Sequence, residues 1–232
     1  MEQSSQRYSA PFVVVAAVFA TTLVVSNIIA VKIAGFAGLT ISVSFVLFPI
    51  SYIFGDILTE VYGYAAARRV IWLGFACNVL AVIAIWLGQI LPSASFWENQ
   101  AAYETILGAT PRLLVASFIA YLFGEFLNSF VLAKLKIATA GRWLWLRTIT
   151  STVVGQGVDS AVFYTLAFAM LPVIGGVMSG GDLIVTIITA WLLKSAYEAA
   201  ATPLTYAAVS YLKRLEGVDT YDRDTNFNPL TV

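Results

Sequence analysis

The chain has no histidine, one cysteine and little charge, and each scarcity closes off a class of chemistry. Without histidine there is no His-Glu-x-x-His zinc motif and no Ser-His or Cys-His nucleophile, so any proton relay must run through carboxylates. Cys77 alone makes neither an intramolecular disulfide nor a cysteine metal cluster. The 13 basic residues balance the 13 acidic ones, and no long polybasic run occurs, which argues against a nucleic-acid partner. A Gly-x-x-x-x-Gly-Lys-Ser/Thr phosphate loop is also missing, so nothing supplies ATP chemistry. These absences point to a non-enzymatic protein that uses no metal or cofactor.

What is there is apolar. Hydrophobic residues make up 59% of the 232 and charged residues 11%, with a mean hydropathy of +0.84, a balance that places the chain in a lipid bilayer. A helix needs about 20 mostly apolar residues to cross the hydrocarbon. Six segments qualify: Pro11–Ile33, Leu39–Leu58, Val70–Leu91, Leu113–Ala133, Ile149–Leu171 and Leu183–Leu212. The first is expected to stay as a membrane helix, because Glu2 beside Arg7 and its long apolar stretch do not suit a cleaved signal. The expected fold is an all-α bundle of six transmembrane helices forming one domain over residues 1–215. A polar, mobile cytoplasmic tail follows at 216–232.

Arg7, Arg68, Arg69, Lys134, Lys136, Arg142, Arg147, Lys213 and Arg214 all fall on one side of such a bundle, and Arg112 and Lys32 on the other. Both termini are then cytoplasmic by the positive-inside rule. The outer connection Pro92–Pro111, with Phe96, Trp97 and Tyr103, reads first as an aromatic anchor, with an interfacial helix or a lid as the alternatives.

Ionisable residues inside the spans carry the functional signal. Glu125, Asp159 and Glu198 lie within apolar runs, where a charge costs about 2.5–3.5 kcal/mol on insertion scales and so faces a bundle interior or wet pathway. Pairing of Lys194 with Glu198 four residues on is the structural alternative. Helical spacing groups Phe48, Tyr52, Asp56 and Glu60 on one face, and Ser117, Tyr121, Glu125 and Asn128 on another. Thr152, Gln156, Asp159 and Phe163 form a third stripe, Trp191, Lys194, Glu198 and Thr202 a fourth, and the first span adds Asn27. Pro49 and Pro203 each remove a helical donor and are expected to kink their helices. Carboxylates and amides among aromatics suit a small, planar, hydrogen-bonding solute.

A weak repeat is also visible. Tyr52-Ile53-Phe54-Gly55-Asp56-Ile57-Leu58 matches Tyr121-Leu122-Phe123-Gly124-Glu125-Phe126-Leu127 in the same direction, and Arg69-Val70-Ile71-Trp72-Leu73 resembles Arg142-Trp143-Leu144-Trp145-Leu146. A parallel repeat puts Asp56 and Glu125 on one pathway. Gly55, Gly124 and Gly155 allow close helix packing within one chain or between two, so a homo-oligomer stays open.

The segments Phe48-Pro49-Ile50-Ser51-Tyr52, Asp56-Ile57-Leu58-Thr59-Glu60-Val61-Tyr62-Gly63-Tyr64 and Ala67-Arg68-Arg69-Val70-Ile71-Trp72-Leu73-Gly74-Phe75 resemble the queuosine precursor transporter family, earlier grouped with vitamin uptake transporters. Pro111-Arg112, Lys134-Leu135-Lys136, Arg142 to Arg147, and Gln156 with Asp159-Ser160 extend the resemblance from Asn27 to Pro203. It implies an importer in the bacterial inner membrane, acting on the 7-cyano and 7-aminomethyl 7-deazaguanine precursors of queuosine. For such a nucleobase-like substrate a carboxylate of Glu125, Asp159 or Glu198 accepts the adjacent ring N–H and 2-amino donors, and Gln156, Asn128 or Lys194 meets the carbonyl. The candidate substrate-binding set is Asn27, Glu125, Asn128, Gln156, Asp159, Lys194 and Glu198. Asp56, Glu60, Arg68 and Arg69 form the candidate gate or proton-coupling group, with Asp56 or Glu60 paired to Arg68 or Arg69.

Three other readings use the same residues. A substrate-capturing subunit of an energy-coupling-factor vitamin importer needs a separate ATPase module. An intramembrane aspartyl protease would use Asp56 and Asp159 as a proton-sharing pair. A non-transporting assembly or receptor protein would show no saturable flux.

Overall fold

The computed structural model describes residues 9–30, 32–36, 39–108, 111–169 and 180–231. Glu2, Arg7 and the last two residues of the fifth expected span, Met170 and Leu171, lie outside the described residues. Helix α1 (Ala10–Ile29) is capped by Ser9, whose Oγ accepts the Phe12 N–H at 3.2 Å and satisfies one donor of the first turn. The same hydroxyl donates to Glu216, the last residue of the final helix, joining the first helix to the last.

A short antiparallel hairpin follows, β1 (Ile33–Phe36) with β2 (Leu39–Ser42), in which Ile33 faces Ser42 and Phe36 faces Leu39. This corrects the expectation that the second span starts at Leu39. The apolar run from Leu39 is part strand, and helical geometry begins where the Ser42 hydroxyl accepts the Ser44 N–H and starts the 3-10 turn Val43–Val46. Helix α2 (Phe48–Ile57) then carries Pro49 in its first turn, where its lacking N–H has no helical partner to lose. Pro49 therefore opens the helix and does not kink it. A π-helical turn, Leu58–Tyr62, ends this span, and Gly63 at φ 85° turns the chain into α3 (Tyr64–Ile90).

The outer connection contains α4 (Gln100–Leu107), whose Tyr103 hydroxyl reaches the Ile85 carbonyl at 3.4 Å while its ring meets Trp97 edge to face. Helix α5 (Pro111–Ala138) and α6 (Leu144–Tyr164, continued by the π-helical turn Thr165–Ala169) are joined at a corner that holds Gly141 at φ 76°. The long α7 (Gly180–Glu216) keeps Pro203 within it. Near that proline the Thr202 hydroxyl donates to the Glu198 carbonyl at 3.2 Å.

Among the described residues, five stretches are long and apolar enough to cross a membrane: Ala10–Ile29, Val43–Tyr62, Tyr64–Ile90, Val115–Ala138 and Gly180–Glu216. Their outward side chains, such as Val14, Leu80, Trp86, Ile184 and Leu204, are exposed and form the lipid-facing surface. Helix α6, a span in the sequence reading, is not among the five. Its buried residues include Arg147, Thr148, Ser151, Thr152, Gln156, Asp159 and Ser160, and it packs mainly on α5 and α7. Phe12, Phe19 and Leu23 of α1, Tyr52 and Leu58 of the second span, Ile71 of α3 and Leu212 of α7 meet in the apolar core.

The polar tail is docked, contrary to the expectation of a mobile segment. Its Thr220 N–H donates to the Val61 carbonyl at 3.2 Å, and the Asp222 carboxylate accepts the Tyr64 N–H at 2.9 Å. Hydropathy marks the segment as polar. The buried polar ends of α3 and α5, which make the segment bind the bundle, come together only in the folded chain.

Candidate functional site

Among the described residues, two clusters of buried charge occupy the bundle. The inner one collects the polar stripes of α2, α5, α6 and α7. The two copies of the weak repeat interlock there. A Cβ on Gly55 would overlap the Glu125 carboxylate, and one on Gly124 would stand 2.8 Å from Asp159 Cβ and crowd the Tyr52 hydroxyl. A Cβ on Gly155 would lie 2.7 Å from Asn128 Cβ. These glycines are thus places where one helix admits a polar side chain of another.

Within this cluster Asn128 Nδ2 donates to Asp56 Oδ1 at 2.8 Å, and Thr152 Oγ1 donates to Glu198 Oε1 at 2.5 Å. Lys194 pairs across the helix boundary with Asp159 Oδ2 at 2.7 Å, and its ammonium sits 4.6 Å from the Phe48 ring centroid. Lys194 is therefore engaged by Asp159, and the Lys194–Glu198 pairing along the helix is not found. Glu125 is fully enclosed, and neither of its carboxylate oxygens has a hydrogen-bond partner among the described residues. The Tyr52 hydroxyl is in the same condition, and Gln156 sits close to Glu198 without either amide atom completing a hydrogen bond. Buried polar groups are ordinarily satisfied, so this concentration of unfilled donors and acceptors is the most informative feature of the interior.

Six of the seven sequence-predicted binding residues converge here: Glu125, Asn128, Gln156, Asp159, Lys194 and Glu198. Asn27 lies apart from them. Its amide donates to Asn78 Oδ1 at 2.8 Å and its carbonyl accepts from the Ser117 hydroxyl at 2.9 Å, which makes a satisfied polar bridge among α1, α3 and α5. Tyr52 and Thr152 belong to the cluster but not to the predicted set. Their signal was present in the sequence, since Thr152 stands four residues before Gln156 on its stripe and Tyr52 four before Asp56, a residue expected at the gate that the Asn128 hydrogen bond instead places in this cluster. An apolar groove of about 340 Å³ between α1 and α3 is lined by Ala20, Val24, Cys77, Leu80 and neighbours, and by none of these polar side chains.

The second cluster centres on Glu60. Arg147 Nη2 and Lys213 Nζ each reach Glu60 Oε1 at 2.7 Å, while Lys136 Nζ lies 3.6 Å away and donates to the Glu60 carbonyl. Asp219 of the tail joins Lys136 at 2.6 Å and Lys213 at 2.9 Å. Partial burial pushes the Asp219 carboxyl up, but the hydrogen bonds and charges of Lys136 and Lys213 outweigh it and hold it below the ordinary aspartate value. The predicted pairing of Asp56 or Glu60 with Arg68 or Arg69 is corrected. Asp56 is held by Asn128 and Glu60 by three other cations, while Arg68 donates to the tail carbonyls of Asn226 and Asn228 at 2.7 and 2.8 Å. Arg69 is exposed. Arg147, Lys136 and Lys213 were legible only as positive charge flanking spans.

Several long apolar helices around an interior lined with carboxylates, amides and a lysine mark a multi-pass membrane protein. The family model described as putative vitamin uptake transporter matches residues 42–208, and the chain belongs to that family. It is 33% identical to a probable queuosine precursor transporter of Bacillus subtilis, over 82% of this chain and 80% of that one. It is 29% identical to a queuosine precursor transporter of Escherichia coli over 54% of each chain. A probable queuosine precursor transporter of Haemophilus influenzae is 26% identical over 52% of this chain and 49% of that one. No solved structure matches. The family and the long apolar helices make the chain a multi-pass protein of the bacterial inner membrane.

Proposed function

We propose that this protein imports queuosine precursors, the 7-cyano and 7-aminomethyl 7-deazaguanines, as a secondary carrier or facilitator that needs no ATPase partner. The relatives named for queuosine precursors support the solute class. The observation that carries the site is Glu125, a fully enclosed carboxylate whose two oxygens have no partner among the described residues. Leaving a buried carboxyl without hydrogen-bond partners is costly. A deazaguanine edge supplies the missing donors, because its ring N–H and 2-amino group are spaced to meet two carboxylate oxygens together.

In this reading Gln156, with both amide atoms uncommitted, takes the ring carbonyl, and the Tyr52 hydroxyl completes the set. Lys194 and Asp159 neutralise each other and frame the site. Helix α6 counts as a sixth crossing that is shielded from lipid by α5 and α7, and six crossings put both termini in the cytoplasm. The Glu60 cluster then lies at the cytoplasmic end of the pathway, as a gate.

Equilibrium binding to the purified chain tests the assignment. The 7-cyano compound is expected to bind, and its analogue lacking the 2-amino group to bind at least about tenfold more weakly, since one charged hydrogen bond is worth roughly 1.5–3 kcal/mol. Equal affinity for the two would remove Glu125 from its role.

A further inference from the structure

The C-terminal tail does more than end the chain. It leaves α7 at Gly217, whose φ is 65°, and runs across two corners of the bundle that the repeat makes equivalent. One corner is Gly63, between the second span and α3. The other is Gly141, between α5 and α6. Both glycines have positive φ, and both meet the tail directly. A Cβ on Gly63 would stand 2.7 Å from Thr220 Cγ2, and one on Gly141 would overlap the Tyr221 hydroxyl.

The contacts on each side are specific. At the first corner the buried Asp222 carboxylate accepts the first N–H of α3, and its other oxygen accepts the Thr225 hydroxyl at 2.7 Å. Farther along α3, Trp72 Nε1 donates to the Pro229 carbonyl at 2.8 Å, beyond the two bonds from Arg68. On the α5 side Lys136 holds Asp219 and donates to the Thr220 carbonyl at 2.6 Å. Phe227 bridges both sides. Its ring meets Tyr64 of α3 and Phe130 of α5 at 5.0 and 5.3 Å between centroids, and the Lys134 ammonium lies 3.9 Å from its centre.

A carrier built from parallel repeats opens one end by moving one half against the other. A strap bonded to both corners opposes that movement. We propose that the C-terminal tail is a latch that holds the α2–α3 and α5–α6 corners together and closes this end of the bundle, and that it lets go each time that end opens. The buried ion cluster is part of the lock, because Asp219 shares Lys136 and Lys213 with Glu60. Losing the tail leaves three cations around a single carboxylate.

The latch rests on the transporter reading, but it can be tested without any solute. Ser129 lies just inside the cluster, fully buried and 3.1 Å from the Thr59 hydroxyl. In a Cys77→Ala background, Ser129→Cys is labelled by a membrane-impermeant thiol reagent added to the reconstituted full chain. Labelling is expected to be slow with the tail intact. It is expected to rise at least tenfold with Asp222→Ala or with a stop after Glu216. A second arm keeps the whole tail. Lys134→Cys and Phe227→Cys in the same Cys77→Ala background, joined by a short bis-methanethiosulfonate that forms a disulfide at each end with release of methanesulfinate, are expected to stop solute uptake until a reductant cuts the linker. Equal labelling with the tail docked and released would overturn the latch, as would undiminished uptake by the cross-linked chain. If the truncated chain does not fold, the cross-link decides. If no solute is taken up by any variant, the precursor assignment fails and the labelling result still judges the latch.

Discussion

Arg147 and Glu60 hold each other at 2.7 Å, with 1% and 0% of their side chains exposed. Breaking a buried pair by deleting one partner strands the other charge and typically costs about 3–5 kcal/mol. Glu60→Ala strands Arg147 and is therefore expected to lower the thermal unfolding midpoint of the purified protein sharply, whereas Arg147→Ala leaves Glu60 on Lys213 and is expected to cost less. The double substitution Glu60→Leu with Arg147→Leu is expected to restore only part of it, because Lys136 and Lys213 would then share Asp219 alone. Thermal scans in one detergent check both outcomes.

Glu125→Gln keeps the size of the side chain but puts an amide where two acceptor oxygens stood. Uptake is expected to fall by about tenfold to a hundredfold, the worth of one charged hydrogen bond, with membrane abundance unchanged. Loss of abundance in place of uptake would assign Glu125 to folding.

Gly55→Ala is expected to impair the protein as severely as a change at the carboxylate itself, because the new methyl would occupy the space of Glu125. Overpacking of this kind costs about 1–3 kcal/mol. Gly181→Ala, with nothing within 4 Å of its added carbon, is the matched control. Parallel measurements of uptake and melting temperature on the two variants check the contrast.

The depressed Asp219 carboxyl fixes the sign of a pH effect. A carboxylate whose folded pKa lies below its unfolded value, about 3.9, contributes stability that is complete above that value and disappears as pH falls through the folded one. Tail docking is thus expected to be constant from neutral pH down to about pH 5 and to weaken only in stronger acid. Asp219→Asn should remove that acid-dependent part. Limited proteolysis of the tail across pH, on both forms, checks it.

The inner cluster was largely legible because it follows helical spacing. Tyr52 and Asp56, Glu125 and Asn128, Gln156 and Asp159, and Lys194 and Glu198 are each three or four residues apart, and each pair shares a face. Partner choice was not legible, because it depends on which helices touch. Lys194 takes Asp159 of α6 over its own neighbour Glu198, and Asn27 is satisfied by Asn78 and Ser117. Hydropathy also misread the boundaries. The run from Leu39 is as apolar as a helix yet begins as a strand, and α6 buries polar residues that a lipid-facing span would not carry. The docked tail was hidden for a related reason. A polar segment looks solvated until the buried ends of Lys136, Arg68 and the α3 N-terminus are in place to bind it.

The central claim is that this chain alone carries a deazaguanine across a membrane, and uptake of labelled 7-cyano-7-deazaguanine into proteoliposomes tests it most directly. Saturable entry that unlabelled 7-aminomethyl-7-deazaguanine competes away, and that Glu125→Gln reduces, is the predicted result. Binding without entry would contradict self-sufficient transport and favour a capture subunit, and the absence of both binding and entry would contradict the solute assignment itself.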